Sequence, residues 1–187
     1  MRIISGKYKG KKILEPSDNK TRPLKDLAKE SLFNVIKHSN LVKIDIKNSS
    51  ILDLFSGVGS FGLECLSRGA ANVDFCENYS NVVKILKKNI SNLKFEEKTE
   101  IIEEDIFDID SLSNLKKKYE IIFIDAPFKE KKILALMKNL IKIKLLKRNG
   151  IFILHRHKKE NDLFPKEFNI LIEKFYGVSK IIFGNQI

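Results

Sequence analysis

Seven short apolar stretches, rich in β-branched residues, recur along the chain and predict seven β-strands. They span residues 49–55, 73–77, 100–105, 120–126, 150–157, 168–175 and 179–184. Among the first five strands lie segments with apolar residues at helical spacing, at 60–70, 80–93 and 129–143. Because strands alternate with helices, the pattern predicts a parallel sheet with helices on both faces and right-handed crossovers. The last two strands follow each other without a helix and are predicted to form an antiparallel hairpin at the sheet edge.

A basic hairpin and a helix are predicted ahead of this alternation. In "MRIISGKYKGKKILEP", residues 1–16, two short apolar stretches flank a turn of glycine and lysine. Residues 21–39 then carry an apolar stripe at helical spacing, with Thr21 as a candidate cap. We therefore predict that residues 1–40 extend the same domain whose main α/β part is formed by residues 41–187.

The composition fits one globular domain. The chain has 187 residues, of which 43% are hydrophobic and 32% charged. It has no run of about 18 uncharged apolar residues, and the N-terminus lacks the apolar stretch of a secretory signal, so we expect a cytoplasmic protein with no membrane partner. Cys65 and Cys76 are too few for a zinc cluster or a disulfide scaffold and are expected to be buried thiols.

The net charge favours a polyanionic partner. Lysine and arginine total 35 against 24 acidic residues, which gives +11. Such an excess attracts phosphate backbones through counterion release. Lys7, Lys9, Lys11 and Lys12 of the predicted hairpin are candidates for phosphate contacts. The alternatives are a general lysine bias in composition and a solvated hairpin face.

A glycine-rich loop, "DLFSGVGSFG", follows the first strand of the predicted sheet. Gly57, Gly59 and Gly62 fit G-x-G-x-x-G, and Glu77 lies 20 residues after Gly57, at the end of the next strand. This pattern is typical of dinucleotide sites, where an acid binds the ribose hydroxyls. The match alone is weak, and a strand-to-helix turn without a ligand stays open.

Asp53, four residues before the first glycine, distinguishes a dinucleotide site from a site for another ligand. Its carboxylate would repel a pyrophosphate but accept hydrogen bonds from an ammonium group. S-adenosylmethionine has such a group, together with a ribose for Glu77 and no phosphate. Asp53, Phe55, Gly57 and Gly59 therefore resemble the Asp-x-Phe-x-Gly-x-Gly motif of S-adenosylmethionine-dependent methyltransferases. This resemblance implies that S-adenosylmethionine is the cofactor.

The same resemblance implies an adenine site after the third strand. In "EEDIFD", Asp105 stands where methyltransferases of this fold commonly hydrogen-bond the adenine amine, and Ile106 stands beside the ring. A solvated acidic strand end is the alternative.

The tetrapeptide "DAPF", residues 125–128, ends the fourth strand and is predicted to face the glycine loop, because ligands lie outside the carboxyl ends of the central strands. It resembles the Asp-Pro-Pro-Phe signature of methyltransferases that modify exocyclic or amide nitrogens. The carboxylate of Asp125 and the carbonyl of Ala126 can each accept one N–H, which orients the nitrogen lone pair. Phe128 can stack on a base turned out of its helix, and Pro127 stiffens the turn. Ala126 departs from the signature: the carbonyl is kept and rigidity is lost.

Taken together, "MRIISGKYKGKKI", "TRPLKDLAKESLFNVI", "DLFSGVGSFGLECLSRGA" and "FIDAPF" resemble the RsmD family of bacterial enzymes that methylate a guanine N2 amine in 16S ribosomal RNA. The resemblance implies a seven-stranded, doubly wound, Rossmann-like methyltransferase fold with a small N-terminal hairpin and helix. It also implies 16S ribosomal RNA or the assembling 30S subunit as partner. Arg22, in "TRP", is a candidate for a phosphate or for the cofactor carboxylate. The resemblance covers residue 1 to about 130 and weakens at "ILHRHKKE".

Three rival functions remain open. The target could be adenine N6 or a protein glutamine amide, although Asp125 in place of asparagine argues mildly against the amide. A nicotinamide oxidoreductase is disfavoured by Asp53 and by the lack of a substrate domain. A non-catalytic RNA-binding assembly factor is kept open by Ala126.

His155 and His157 bracket Arg156 after the fifth predicted strand. An H-x-H pair can bind a metal, but no third ligand is evident nearby. We expect the two histidines to be surface polar groups or RNA contacts, and we expect no bound metal. We also expect the protein to be a monomer.

Overall fold

The computed structural model describes residues 1–16, 24, 26–115 and 117–187, and these contain the seven expected strands in one sheet. The strands are β1 Ser50–Leu54, β2 Asn72–Cys76, β3 Thr99–Ile102, β4 Tyr119–Ile124, β5 Leu146–His157, β6 Phe168–Tyr176 and β7 Ser179–Gln186. The predicted α/β fold with a doubly wound sheet is confirmed.

Five α-helices accompany the strands within the described residues. They are α1 Asp26–His38, α2 Ser60–Ser67, α3 Ser80–Asn92, α4 Ile109–Ser113 and α5 Ile133–Lys142, with a 3-10 turn at Glu96–Lys98. The short helix α4 was not predicted, because five residues are too few to show a helical apolar stripe. It begins after Asp108, whose carboxylate accepts the backbone N–H of Asp110 at 3.2 Å. The predicted cap Thr21 lies outside the described residues.

The strand order places a switch point between β1 and β4. The order is β3-β2-β1-β4-β5-β7-β6. Strands β1 to β5 are parallel, whereas β7 runs antiparallel to both β5 and β6. The predicted hairpin of the last two strands is therefore confirmed, with β6 at the edge and β7 next to β5. Ligands of doubly wound sheets bind where the order reverses, outside the carboxyl ends of the strands.

Two apolar layers cover the sheet. On β1, Ile51 faces one layer, which includes buried residues of α1, α2 and α3. Leu52 and Leu54 face the other layer, which includes buried residues of α4 and α5. Alternate residues of a strand point to opposite faces, so both sides of β1 are buried. Cys65 and Cys76 are buried thiols, as expected.

The N-terminal segment is anchored on α2. An antiparallel bridge joins Arg2 to Lys12, which closes the predicted hairpin turn. Glu64 of α2 is fully buried, and its carboxylate accepts the backbone N–H groups of Ile4 and Ser5 at 2.7 and 2.9 Å. These charge-assisted bonds fix the hairpin against the helix. Among the helices that the structure describes, none is both long and apolar enough to cross a membrane.

Candidate active site

A cavity of about 550 Å³ opens at the carboxyl ends of β1, β2 and β4. The sequence-predicted residues in its wall are Asp53, Phe55, Gly57, Glu77, Asp125, Ala126, Pro127 and Phe128. Further wall residues include Pro16 and Leu24 from the N-terminal segment. The glycine loop and the tetrapeptide therefore belong to one cavity.

The glycines of the loop meet two different steric needs. Gly57 has φ +56, and a Cβ atom added there would meet nothing within 4 Å, so the backbone at this point borders open space. At Gly62, in the first turn of α2, an added Cβ would lie 2.4 Å from the ring of Phe75. Gly62 thus allows α2 to pack closely on β2, whereas Gly57 lets the backbone adopt a left-handed turn at the cavity.

Glu77 is held in one orientation at the cavity wall. Its Oε2 accepts the backbone N–H of Gly57, and its Oε1 accepts that of Tyr79, both at 2.9 Å. A carboxylate offers about four acceptor sites, so both oxygens can still accept hydroxyl donors. The two backbone bonds therefore orient the carboxylate without exhausting it.

Asp53 lies at the base of the cavity with only 1% of its surface exposed. Its Oδ2 accepts the backbone N–H of Gly62 at 3.0 Å, which satisfies a donor at the start of α2. Burial raises the pKa of Asp53 well above its usual range; the hydrogen bond from Gly62 opposes this shift, and the carboxylates of Asp125 and Glu77 add to it. Among the described wall residues, Asp53, Glu77, Asp125 and Glu130 are acidic and none is basic, so this part of the wall favours a cation over an anion.

Ser56 adds a hydroxyl to the same wall. Its Oγ is buried, and none of the described residues forms a hydrogen bond to it. Because this oxygen has no surface open to the cavity, a ligand there would reach it only if the Ser56 side chain rotated.

Asp105 and Ile106 do not belong to the described cavity wall. Asp105 is exposed, and its Oδ1 accepts the backbone N–H of Phe107 at 3.0 Å, while Ile106 is buried. The ring of Phe107 packs on Phe55, with centroids 5.6 Å apart, and Phe55 borders the cavity. The turn therefore adjoins the cavity through two aromatic rings, and its contact with adenine stays a prediction.

The tetrapeptide continues the pairing of β4 with β1. The backbone N–H of Asp125 donates to the carbonyl of Leu54 at 3.2 Å, which brings the carboxylate to the cavity. The Asp125 side chain is 14% exposed, Ala126 is fully buried and Phe128 is half-buried. The group expected to accept an amine is thus accessible from the cavity and shielded on its other sides.

The expectation that His155 is a surface polar group or an RNA contact is wrong, since its side chain is buried, and Arg156 beside it is buried as well. Strand β5 lies inside the sheet between β4 and β7, so side chains at its end meet neighbouring strands instead of water. His155 Nδ1 lies 2.8 Å from Asp125 Oδ1, and Nε2 lies 2.8 Å from Ser179 Oγ. His157 is half-buried, and its ring meets Phe128 edge-on at 5.0 Å.

Arg156 clamps the loop that contains the tetrapeptide. Its guanidinium donates to the carbonyls of Pro127 at 3.0 Å and Glu130 at 2.9 Å, with a longer contact of 3.4 Å to Phe128. It also forms a two-point ion pair with Asp162, at 2.8 and 2.9 Å. These bonds tie the loop to the end of β5.

The hairpin lysines form an exposed basic segment. Lys7, Lys9, Lys11 and Lys12 are all exposed, and the backbone N–H of Lys7 donates to the carbonyl of Ser67 at 2.8 Å. The hairpin is therefore attached to the last residue of α2, and the chain that follows it reaches the cavity wall at Pro16. Arg22 lies outside the described residues. In the described part of the chain, no group of three or more His, Cys, Asp and Glu residues could hold a metal ion.

Comparison with known proteins finds a matching family and several relatives. The family model described as "Conserved hypothetical protein 95" matches residues 1–185. The "Ribosomal RNA small subunit methyltransferase D" of Haemophilus influenzae is 32% identical, covering 95% of this chain and 90% of the relative. The protein of the same name from Buchnera aphidicola subsp. Acyrthosiphon pisum is 34% identical, covering 92% and 86%. The solved structure named "Putative methyltransferase yhhF from Escherichia coli" has a TM-score of 0.83 and 26% identity, covering 100% of this chain and 97% of its own.

Proposed function

Because the chain belongs to the RsmD family, whose model is described as conserved hypothetical protein 95, we propose that it is an S-adenosylmethionine-dependent methyltransferase that acts in the cytoplasm on small-subunit ribosomal RNA. The acceptor is the exocyclic N2 amine of a guanine in 16S ribosomal RNA. One observation carries the proposal. The glycine loop and the tetrapeptide, which the motifs assign to cofactor and target amine, line the same cavity, so the two reactants would meet there.

The cavity suits a cationic ligand that also carries hydroxyl groups. The acidic side chains of Asp53, Glu77, Asp125 and Glu130 line the described part of its wall, and a bound cation would stabilise the charged form of Asp53 that burial disfavours. S-adenosylmethionine has a sulfonium, an ammonium and a ribose, which match these groups. A dinucleotide would bring its pyrophosphate to the same carboxylates, and this disfavours a nicotinamide enzyme.

The residues that would hold the cofactor divide by its parts. Glu77 would accept the ribose hydroxyls, and Asp53 would face the amino acid end. The remaining assigned residues are Phe55, Gly57 and Gly59 around the loop, and Asp105 and Ile106 at the adenine. When bound, the cofactor supplies a methyl carbon that its sulfonium sulfur makes electrophilic.

The tetrapeptide would orient the amine. An exocyclic amine is a poor nucleophile, because its lone pair is delocalised into the base ring. Asp125 and the carbonyl of Ala126 each accept one N–H and hold the lone pair toward the cavity. The Asp125 carboxylate then takes the proton that the nitrogen loses.

The RNA would be held by stacking and by charge. Phe128 offers a half-buried ring on which a flipped base can stack. The hairpin lysines Lys7, Lys9, Lys11 and Lys12, and Arg22 before α1, are assigned to the phosphate backbone. The net charge of +11 supports a polyanionic substrate over a protein amide.

Heat protection tests the cofactor assignment. S-adenosylhomocysteine should raise the melting temperature of the purified protein, because it fills the cavity and binds only the folded state. NAD should leave the melting temperature unchanged. The reverse pattern would contradict the assignment and support the oxidoreductase.

Methyl transfer tests the substrate. With methyl-labelled cofactor, label should enter either naked 16S RNA or purified 30S particles that lack the modification, and the two substrates are compared side by side. RNA that binds the protein but takes up no label in either form would support the assembly factor instead.

A further inference from the structure

His155 is the residue that contacts the predicted proton acceptor from the neighbouring strand. Residues Ile124 and Leu154 are partners in the β4–β5 register, so the next residue on each strand, Asp125 and His155, also lie side by side. The His155 side chain is 3% exposed, and its ring meets Phe128 edge-on at 5.6 Å. Water therefore competes little for the bond between Nδ1 and Asp125 Oδ1.

With an ionised Asp125 and a neutral ring, the contacts of His155 fit one tautomer. An ionised carboxylate only accepts hydrogen bonds, so Nδ1 of His155 must donate to Asp125. In the neutral ring Nε2 is then an acceptor, and the hydroxyl of Ser179 donates to it at 2.8 Å. The donors thus run in one direction, from Ser179 through His155 to Asp125.

We propose that His155 is a positioning residue for methyl transfer: its Nδ1–H fixes the Asp125 carboxylate in the orientation that accepts the amine, and Ser179 fixes the ring tautomer. The proposal rests on the proposed function. A carboxylate that is oriented before the substrate binds needs no reorganisation during the reaction.

Substitution of His155 should affect turnover more than binding. His155→Leu should lower kcat about 10- to 100-fold, because a misoriented carboxylate misplaces the amine. The KM for RNA should change less than about twofold. S-adenosylhomocysteine should raise the melting temperature of the variant about as much as that of the wild type. His155→Asn should recover much of the loss, since its amide N–H can take the place of Nδ1–H. Ser179→Ala should give a smaller fall in kcat.

His38→Leu is the matched control, because His38 is an exposed histidine at the end of α1. It should leave kcat unchanged. The melting temperature of each variant shows whether a fall in kcat comes from unfolding or from a misoriented Asp125 carboxylate. If His155→Leu turns over like the wild type, or if His155→Asn falls as far as His155→Leu while both remain folded, the proposed role is overturned.

Nitrogen-15 NMR of the rings tests the arrangement without cofactor or RNA. The chain has three histidines, so their signals can be assigned by substitution. Near neutral pH, the ring lost in His155→Leu should show a protonated Nδ1 and an unprotonated Nε2. A ring protonated only at Nε2 would overturn the proposal. A wild-type protein that has this tautomer but transfers no methyl group would overturn the proposed function instead.

Discussion

Three of the acidic residues that line the cavity stand at the carboxyl ends of three neighbouring strands, and each has a different partner. Glu77 is fixed by two backbone N–H groups, Asp53 by the start of α2, and Asp125 by the ring of His155. Mutual repulsion would be relieved by a cation, and this explains why a site built from acids can serve a positively charged ligand. A bound cation therefore supplies the positive charge that the ligand-free site lacks.

Asp53→Asn should make the ligand-free protein less sensitive to pH. The pKa of Asp53 is raised in the folded state, so its stabilising contribution is complete below the unfolded pKa, near 4, and is lost as pH rises toward the folded pKa. Asparagine keeps an acceptor for Gly62 and has no charge to bury. Urea unfolding should therefore show the free energy of unfolding of the variant rising relative to that of the wild type between pH 4 and pH 7.

The same variant should bind S-adenosylmethionine more weakly, because asparagine cannot ionise to pair with the ammonium group of the ligand. An equal shift of both proteins across the pH range would contradict the stability argument. An affinity for S-adenosylmethionine equal to that of the wild type would contradict the role of Asp53 in selecting a cationic ligand.

At the scale of elements, the end of β5 supports the tetrapeptide that ends β4. The seven strands, the glycine loop and the tetrapeptide could be predicted because each has a local pattern. The contacts of His155 and Arg156 with the tetrapeptide could not be predicted, because they depend on which strand lies beside β4 and in what register. One signal was present: three polar residues end an otherwise apolar predicted strand.

Arg156→Lys should loosen the tetrapeptide loop. A lysine cannot reproduce the two-point pair with Asp162 together with bonds to the carbonyls of Pro127 and Glu130. We expect kcat to fall about tenfold and the free energy of unfolding to fall by about 1 to 3 kcal/mol, because lysine keeps the charge but leaves buried carbonyl groups without a donor. Kinetics and urea unfolding measure the two effects.

Arg148→Lys is the control for this change, because Arg148 lies on the same strand and is exposed. It should alter neither quantity. If Arg156→Lys behaves like the control, the clamp does not restrain the tetrapeptide loop.

At the scale of the molecule, the family predicted from residue 1 to about 130 is confirmed by a match over residues 1–185. The hairpin turn is anchored at Ser67, the last residue of α2, while Pro16 reaches the cavity. Helix α2 has eight residues, so the basic segment extends roughly 12 Å from the glycine loop. An RNA bound there would contact the protein well beyond the nucleotide that is modified.

Replacing the four lysines at 7, 9, 11 and 12 with glutamine should weaken RNA binding and leave cofactor binding intact. The slope of log affinity against log salt should fall by up to about 3, since each phosphate contact to a single strand contributes about 0.7. The control replaces four exposed lysines outside the hairpin, at 138, 142, 144 and 147. Equal effects from both sets would indicate that net charge alone binds the RNA.

The central claim is that Asp125 accepts a guanine N2 amine in this cavity, and identification of the methylated nucleoside tests it most directly. After reaction with unmodified 16S RNA or 30S particles, the RNA is digested and its nucleosides are separated. Wild-type protein should yield N2-methylguanosine at one position, and Asp125→Asn should yield at least about 100-fold less while S-adenosylhomocysteine still protects it from heat. N6-methyladenosine as the product, or an Asp125→Asn variant that transfers as well as the wild type, would contradict the claim.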